Sequence, residues 1–297
     1  MVALMNSLFV EEYGNKEFPP LLYIHGGPGT GSYDFTLHQK NLLSDQLRLI
    51  SFDQRGVLRS AAIDEKHSLK LSDLINDIED IRKEKGISKW SVLGHSFGGH
   101  LAFLYATSYP DKVNKMIFEN AGFDFGLSMR SILKGMAIEF AIIGKTEKST
   151  KCLELAFSSM DIEVKSLFSD FGELMGELGS QADNLYVHAL DPHYFNKLVE
   201  SSPFEKDLWK RAMVHQRKLV EEGAMFNSLL ENAHNFPSQS AMIIKGKYDY
   251  VMGEDQIYSY LRNRPDTKFS IFENSGHFPH FEEPEKFSKE VKKFILE

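Results

Sequence analysis

The chain has 297 residues, of which 42% are hydrophobic and 26% are charged, and its formal net charge is −8. This composition is typical of a globular protein with one large core, or with a core plus an insertion. The acidic balance and the lack of a long Lys/Arg cluster argue against nucleic acid or an anionic membrane as the main partner.

Short apolar runs alternate with helix-like segments through the first 120 residues. Strands are predicted at 8–10, 21–24, 47–52 and 113–118, and a further strand leads into Ser96. Helices are predicted at 33–47, at 71–85 and directly after Ser96. Buried apolar strands in a β-α-β-α order predict the α/β class, with a mostly parallel sheet covered by helices on both faces.

The alternation stops between about residues 122 and 237, where charge-speckled helical segments replace the strands. Examples of these segments are 129–143, 162–178 and 208–230. We interpret the region 123–237 as a helical cap, inserted between two parts of the core at 1–122 and 238–297. The alternation then resumes with a strand at 240–246, a helix at 256–262, a strand at 268–272 and a final helix at 284–296.

Two further features concern redox chemistry and location. Cys152 is the only cysteine, which excludes an intrachain disulfide and a thiolate metal site. Residues 1–10 do not resemble a signal peptide, and no apolar run approaches the length of a membrane span, so a cytoplasmic protein is expected.

The stretch Gly94-His95-Ser96-Phe97-Gly98 has the Gly-x-Ser-x-Gly spacing that places a serine on a sharp strand-to-helix turn. Glycines are needed there because the serine backbone is strained and a flanking Cβ would collide with the strand or the helix. Backbone N–H groups at the start of the helix can stabilise an oxyanion. The alternative interpretation is an ordinary Gly-Ser turn.

A serine nucleophile needs an adjacent base, and the base needs an orienting acid. Asp249 follows the second-last predicted strand and His277 follows the last one, 28 residues later. The order Ser96, Asp249, His277 is the one that this turn architecture uses. His280 is an alternative base and Asp124 is an alternative acid, and Asp249 could instead cap the following segment.

Two glycine-containing loops follow other predicted strands. In His25-Gly26-Gly27-Pro28-Gly29, a backbone N–H, most simply that of Gly27, can act as an oxyanion donor; the alternative is a flexible loop. The stretch 53–60 carries charged residues that we interpret as braces for neighbouring loops, because arginine cannot act as a base near neutral pH. His25, His95 and His100 are expected to be structural. No His/Asp/Glu cluster has metal-ligand spacing, so a site without metal or cofactor is predicted.

The motifs His25-Gly26-Gly27-Pro28-Gly29, Asp53-Gln54-Arg55-Gly56 and Gly94-His95-Ser96-Phe97-Gly98-Gly99 resemble those of α/β-hydrolases. More narrowly, they resemble the proline iminopeptidase group of serine peptidases, over roughly residues 20–120 and 238–297. The resemblance implies the α/β-hydrolase fold and an acyl-enzyme mechanism. Ser96 would attack a carbonyl carbon, His277 would remove its proton and Asp249 would hold the imidazole. The N–H groups of Gly27 and Phe97 would receive the oxyanion.

The resemblance also implies an aminopeptidase that releases an N-terminal proline or a small apolar residue from a short peptide. Iminopeptidases hold the substrate amine with glutamates, some of them in the cap, and one subset has a Glu directly after the catalytic Asp. Tyr250 occupies that position here. The cap candidates are Glu200, Glu205, Glu221, Glu222 and Glu231. A carboxylic-ester hydrolase acting on a small molecule is the alternative, and a non-catalytic ligand-sensing relative is the third reading. The oligomeric state stays open.

Overall fold

A computed structural model describes residues 8–159, 163–188, 190–191, 193–231 and 236–297. Within these ranges the strands are β1 (Phe9–Tyr13), β2 (Pro20–Ile24), β3 (Arg48–Asp53), β4 (Trp90–His95), β5 (Val113–Glu119), β6 (Ser240–Gly246) and β7 (Lys268–Phe272). They form one sheet in the order β1-β3-β2-β4-β5-β6-β7. β1 is antiparallel to β3 and all other pairs are parallel, which confirms the predicted sheet.

Helices cover both faces of the sheet. In the described part of the chain they are α1 (Tyr33–Leu43), α2 (Leu71–Glu84), α3 (Phe97–Ser108), α4 (Phe125–Ile142), α5 (Thr146–Ala156), α6 (Val164–Leu178), α7 (Tyr194–Ser201), α8 (Lys206–Glu222), α9 (Glu254–Asn263), α10 (Pro279–Glu282) and α11 (Pro284–Leu296). One core joins β2 to α2, α3 and α9 through Leu22. The other joins β2 to α1 and α11 through Leu21. Alternate strand residues thus pack against helices on opposite faces of the sheet, which explains why the strand sequences are continuously apolar.

Two helices end earlier than their sequence patterns predict. α1 ends at Leu43 instead of 47, because the chain turns at Ser44 before it enters β3 at Arg48. α8 ends at Glu222 instead of 230, because Gly223 adopts a left-handed conformation with φ +86° that terminates the helix.

Helices α4 to α8 lie between β5 and β6 in the chain, in the region that the sequence assigns to the cap. Helices α4, α5 and α6 share a core that contains Leu133, Phe140 and Cys152, whereas Leu219 of α8 packs in the core that includes Leu22. The sequence pattern does not single out α5, because Cys152 and Ala156 are its only buried residues, too few to produce a helical apolar pattern. Across the described ranges, no helix combines the length and apolar character that spanning a bilayer would require.

The parallel strands β2, β4, β5, β6 and β7 all end at the same edge of the sheet. The loops that follow these strands carry, in turn, Gly27, Ser96, Asn120, Asp249 and His277. In an open α/β sheet this carboxyl edge is where ligands bind. The fold therefore gathers the polar residues of five separate segments at one edge.

Candidate active site

Ser96 lies on a strained turn between β4 and α3. Its backbone has φ +55° and ψ −121°, a region that a non-glycine residue rarely adopts. A Cβ on Gly94 would lie 2.3 Å from the carbonyl oxygen of Gly98, and a Cβ on Gly98 would lie 2.0 Å from that of Ile24. The glycines flanking Ser96 are therefore required by close backbone approach, as the spacing predicts.

Hydrogen bonds from neighbouring strands and loops hold this turn. The N–H of Ser96 donates to the carbonyl of Glu119 at the end of β5 (3.0 Å). The carbonyl of Ser96 accepts from the N–H groups of Gly99 (2.9 Å) and Gly122 (3.2 Å). The nucleophile candidate is thus fixed to the end of β5 as well as to its own helix.

His277 and Asp249 form a buried pair beside this turn. His277 Nδ1 donates to Asp249 Oδ1 at 2.8 Å, so Nε2 is left as the nitrogen that can accept a proton. The His277 ring packs against the ring of His95, the residue before Ser96, with centroids 4.6 Å apart. The structure thus brings Asp249 and His277 together next to the serine turn, and this pairing is what orients a general base.

Asp249 is held ionised by the groups around it. Oδ1 also accepts from the N–H of Val251 (2.9 Å), while Oδ2 accepts from the N–H of Met252 (2.9 Å) and from Lys245 Nζ (3.2 Å). Burial alone would raise the pKa of Asp249, but Lys245, His277 and the Met252 N–H together lower it to about 2. The carboxylate is therefore charged throughout the neutral range.

The two residues predicted as oxyanion donors, Gly27 and Phe97, both lie near Ser96. Phe97 is the first residue of α3, so its N–H has no partner within the helix. Gly27 (φ +111°) lines the same cavity as Ser96 and Phe97. Gly26 brings this loop close enough that a Cβ on it would lie 2.8 Å from the Cβ of Ser96. The loop and the helix start thus flank the hydroxyl-bearing side chain.

The alternative acid and the alternative base have other partners. Asp124 is the N-cap of α4, and its Oδ1 accepts from the N–H of Leu127 at 2.8 Å. His280 Nδ1 donates to Glu119 Oε1 at 2.9 Å and does not contact Asp249. Neither residue contributes to the pair that the structure forms at the site.

The charged residues of the stretch 53–60 brace the loops around the site. Asp53 accepts from the N–H of Ser32 (2.8 Å) and forms an ion pair with Arg59 (2.7 Å). The N–H of Gln54 donates to His25 Nε2 (3.0 Å), which ties this stretch to the Gly27 loop. Burial lowers the pKa of His25, so this ring stays neutral and accepts that bond. These contacts are structural, as the sequence suggests.

Two residues that hold the site in place, Asn120 and Lys245, are not apparent from the sequence pattern. Asn120 is fully buried with φ +42°, and its Nδ2 donates to the carbonyls of Gly276 and His277, both at 3.0 Å. Its Oδ1 accepts from the N–H of Gly246 at 3.0 Å. The second residue is Lys245, which in the sequence looks like an ordinary strand residue. An Asn directly after a buried strand was the one available signal, because Asn tolerates positive φ better than most residues.

A cavity of about 140 Å³ opens at Ser96. Its walls come from the Gly27 loop, α3, α4, α6, α8 through Gln216, and the segments around Tyr186 and Val251. Most side chains that line it are apolar, and they include Phe97, Phe125, Met129, Ile132, Phe168, Phe171 and Val251. The lining carries no Asp, Glu, Lys or Arg within the described ranges.

The five cap glutamates lie elsewhere. All five side chains are exposed, and none of them lines the cavity at Ser96. Glu222 accepts from the N–H of Ala224, and Glu221 lies 3.9 Å from Arg217. Tyr250, at the position of the alternative glutamate, is half-buried and packs against the hydrophobic cluster that includes Leu133 and Cys152.

Three side chains whose chemistry could suit a metal, His95, Glu119 and His280, meet beside the serine turn in the described part of the chain. Their closest N and O atoms lie within 4.8 Å of one another, although their spacing in the sequence does not indicate this. The Nδ1 and the backbone N–H of His280 both donate to Glu119 Oε1 at 2.9 Å, so a proton already joins the two side chains. Within the described residues, Glu119 and His280 of this group are joined directly by hydrogen bonds.

Comparison with known proteins agrees with this architecture. A family model described as the alpha/beta hydrolase fold matches residues 19–284. A proline iminopeptidase of Xylella fastidiosa (strain 9a5c) is 36% identical over 282 residues, which cover 91% of this chain and 87% of that protein. A proline iminopeptidase of Arabidopsis thaliana is 34% identical over 290 residues, which cover 93% of this chain and 73% of that protein.

Solved structures show the same fold at lower sequence identity. An esterase from Exiguobacterium antarcticum has a TM-score of 0.65 and 19% identity, and the match covers 98% of this chain and 96% of the esterase. At this identity the likeness concerns the fold alone. The family model and the iminopeptidase relatives give a narrower assignment. The chain belongs to the α/β-hydrolase fold family and, within it, to the proline iminopeptidase family.

Proposed function

We propose that this hydrolase works through an acyl-enzyme formed on Ser96. The observation that carries the proposal is the buried His277–Asp249 hydrogen bond of 2.8 Å, formed next to a serine on a strained strand-to-helix turn. A serine hydroxyl is a weak nucleophile at neutral pH and needs this kind of oriented base.

The proposed mechanism uses each of these groups in turn. Ser96 Oγ attacks the substrate carbonyl carbon while His277 Nε2 takes its proton. The N–H groups of Gly27 and Phe97 donate to the oxyanion that develops, a contribution of about 3 kcal/mol for each donor in comparable sites. His277 then returns the proton to the leaving group. A water molecule, activated by the same histidine, releases the acid and restores Ser96.

An active-site probe tests this mechanism without knowledge of the substrate. A fluorophosphonate should label wild-type protein on Ser96 and should fail to label Ser96→Ala. Ser128 lines the same cavity and donates no reacting group in the proposed mechanism, so Ser128→Ala should be labelled like wild type. Folded wild-type protein that stays unlabelled would refute the mechanism and favour the non-catalytic, ligand-sensing interpretation.

We further propose that the substrate is a short peptide whose N-terminal proline or small apolar residue is released. The iminopeptidase relatives support this assignment. The size and apolar character of the cavity support it as well, because about 150 Å³ of apolar space is enough to hold a benzene ring. A five-membered proline ring is smaller than benzene and would fit.

A second candidate, a carboxylic-ester hydrolase, is favoured by the absence of a carboxylate from the described lining of the cavity. A protonated α-amine buried there would lose its hydration without gaining a counter-charge, and this loss is costly. An ester with an uncharged acyl group avoids this cost. The same triad would hydrolyse it.

Matched substrates separate the two candidates. Proline p-nitroanilide and cyclopentanecarboxylic p-nitroanilide differ only in the ring nitrogen, and p-nitrophenyl cyclopentanecarboxylate offers the same ring on an ester. Faster release of p-nitroaniline from the proline compound supports the aminopeptidase. Turnover of the ester alone would refute the aminopeptidase and leave the ester hydrolase.

A further inference from the structure

His280 is a fully buried residue of α10 with a carboxylate at each ring nitrogen. Its Nδ1 donates to Glu119 Oε1 at 2.9 Å, and its Nε2 lies 3.6 Å from Asp34 Oδ2. The backbone N–H of His280 donates to the same oxygen of Glu119. The Asp34 contact has an ion-pair distance and is not a hydrogen bond, but two carboxylates at this range favour the imidazolium form of the ring.

The electrostatics agree with this geometry. Burial by itself would lower the pKa of His280, but the Glu119 and Asp34 carboxylates raise it to about 9. His95 is the next ring in the cluster. Burial and the neighbouring histidines hold the pKa of His95 well below its ordinary value, so that ring is neutral. The cluster therefore contains one buried cation between two anions.

This cluster touches both catalytic candidates. The ring of His95 lies between those of His277 (centroids 4.6 Å apart) and His280 (5.2 Å). The carbonyl of Glu119 accepts from the N–H of Ser96. The charge on His280 is thus separated from the candidate base by one neutral ring, in a part of the protein that excludes water.

The other titratable groups around the cluster come from every element packed against it. Those that face His280 are Tyr23 of β2, Asp34 and His38 of α1, His95 of β4 and Glu119 of β5. Those that face His277 are His95, Tyr186, Asp249 and, behind Asp249, Lys245. In the His280 group, burial lowers the pKa of His38 and raises that of Tyr23, so neither competes with His280 for the positive charge.

We propose that His280 is a positioning residue whose imidazolium neutralises buried Glu119 and so sets the pH range in which His277 can act as a base. The inference rests on the proposed role of His277. Without the cation, Glu119 and Asp34 would leave excess negative charge beside His277. Negative charge favours a protonated imidazole, so His277 would become available as a base only at higher pH.

The magnitude follows from Coulomb's law. At an effective dielectric constant of about 20, a unit charge roughly 10 Å away displaces a titration by about one pH unit. His280→Gln removes the cation, while the amide of Gln can still donate to Glu119. Asp34→Asn removes the other anion that faces His280 and should act in the opposite direction.

The experiment measures the rate constant of fluorophosphonate labelling from pH 5 to 10, which needs no natural substrate. The rate should fall on the acidic side of the pH profile, and we call this part of the curve the acidic limb. In His280→Gln the acidic limb should move up by about one pH unit, and in Asp34→Asn it should move down by about half a unit. His38→Gln is the matched control. His38 lies beside the cluster but forms its hydrogen bond with Tyr194, so the acidic limb of this variant should stay in place.

The outcomes are distinct. A role limited to packing would lower the labelling rate at every pH without moving the limb, and this result would overturn the proposal. Shifts of the same sign in both variants would also overturn it. If His280→Gln fails to fold, an unmoved limb in Asp34→Asn overturns the proposal and a downward shift supports it. Wild-type protein that is not labelled at any pH would refute the proposed function together with this inference.

Discussion

Replacement of Asp249 by asparagine is the sharpest test of the proposed triad, because each carboxylate oxygen is surrounded by donors. Oδ1 accepts from His277 and the Val251 N–H, and Oδ2 accepts from the Met252 N–H and Lys245. An amide NH₂ at either position must face hydrogens that point toward it. The substitution therefore preserves shape while it reverses one half of the hydrogen bonding.

The two orientations of the new amide differ in cost. An NH₂ at the Oδ2 position would face an N–H and the Lys245 ammonium, whereas at the Oδ1 position it would face one neutral N–H and the His277 ring. The second orientation has the lower free energy, because the loss of a hydrogen bond to a neutral group costs about 1–3 kcal/mol and the loss of one to a charged group costs more. There the amide donates to His277 Nδ1, which forces the hydrogen onto Nε2. The ring then cannot take the Ser96 proton.

We expect Asp249→Asn to lower kcat by about 10³- to 10⁴-fold with little change in KM, since this tautomer change costs about 10⁴-fold in a comparable triad. The loss corresponds to about 4–5.5 kcal/mol in the activation barrier. Steady-state kinetics on a p-nitrophenyl ester or proline p-nitroanilide, with circular dichroism to verify folding, measures it.

Asp124→Asn provides the matched control. Asparagine and aspartate are equally good N-caps, so the cap on α4 should survive with a change in stability below about 0.5 kcal/mol and with unchanged kcat. Full activity in Asp249→Asn together with a large loss in Asp124→Asn would refute the assignment of the acid.

Three further predictions concern stability and positioning. The pKa of His280 is raised to about 9, so the stability that its charge contributes is complete below about pH 6.5 and is lost as the pH rises through 9. Urea unfolding should therefore show a decrease of order 3 kcal/mol in the free energy of unfolding over this pH range, and His280→Gln should not show it. Asn120→Asp removes both donors to the His277 loop and should lower kcat about 10- to 100-fold at nearly constant KM; a change in KM alone would contradict the positioning role. Gly98→Ala should destabilise the fold by at least about 2 kcal/mol in thermal unfolding, because its Cβ would overlap the Ile24 carbonyl; Gly172→Ala, which meets nothing within 4 Å, should not destabilise it.

The sequence by itself determined the fold class and most of the strand positions. The run predicted at 21–24 became β2 (Pro20–Ile24), and the helix predicted at 71–85 became α2 (Leu71–Glu84), which ends just before Gly86. Both predictions succeeded because burial on two faces of a strand, or on one face of a helix, leaves a local apolar pattern. The close packing at Gly94 was readable for the same reason, because its neighbours Gly98 and Gly99 are near in the chain, whereas the approach of Gly98 to Ile24 depends on the pairing of β2 with β4.

Only the tertiary structure decided which distant residues meet. Lys245, Asn120 and the Glu119–His280 pair come from separate strands and helices, and no short pattern connects them. The same holds for the cavity, whose walls combine α3, α4 and α6. The sequence offered five cap glutamates as amine ligands, yet all five are exposed and outside the cavity at Ser96. Side-chain placement in the cap depends on how its helices pack, and this is a long-range property that composition and spacing do not encode.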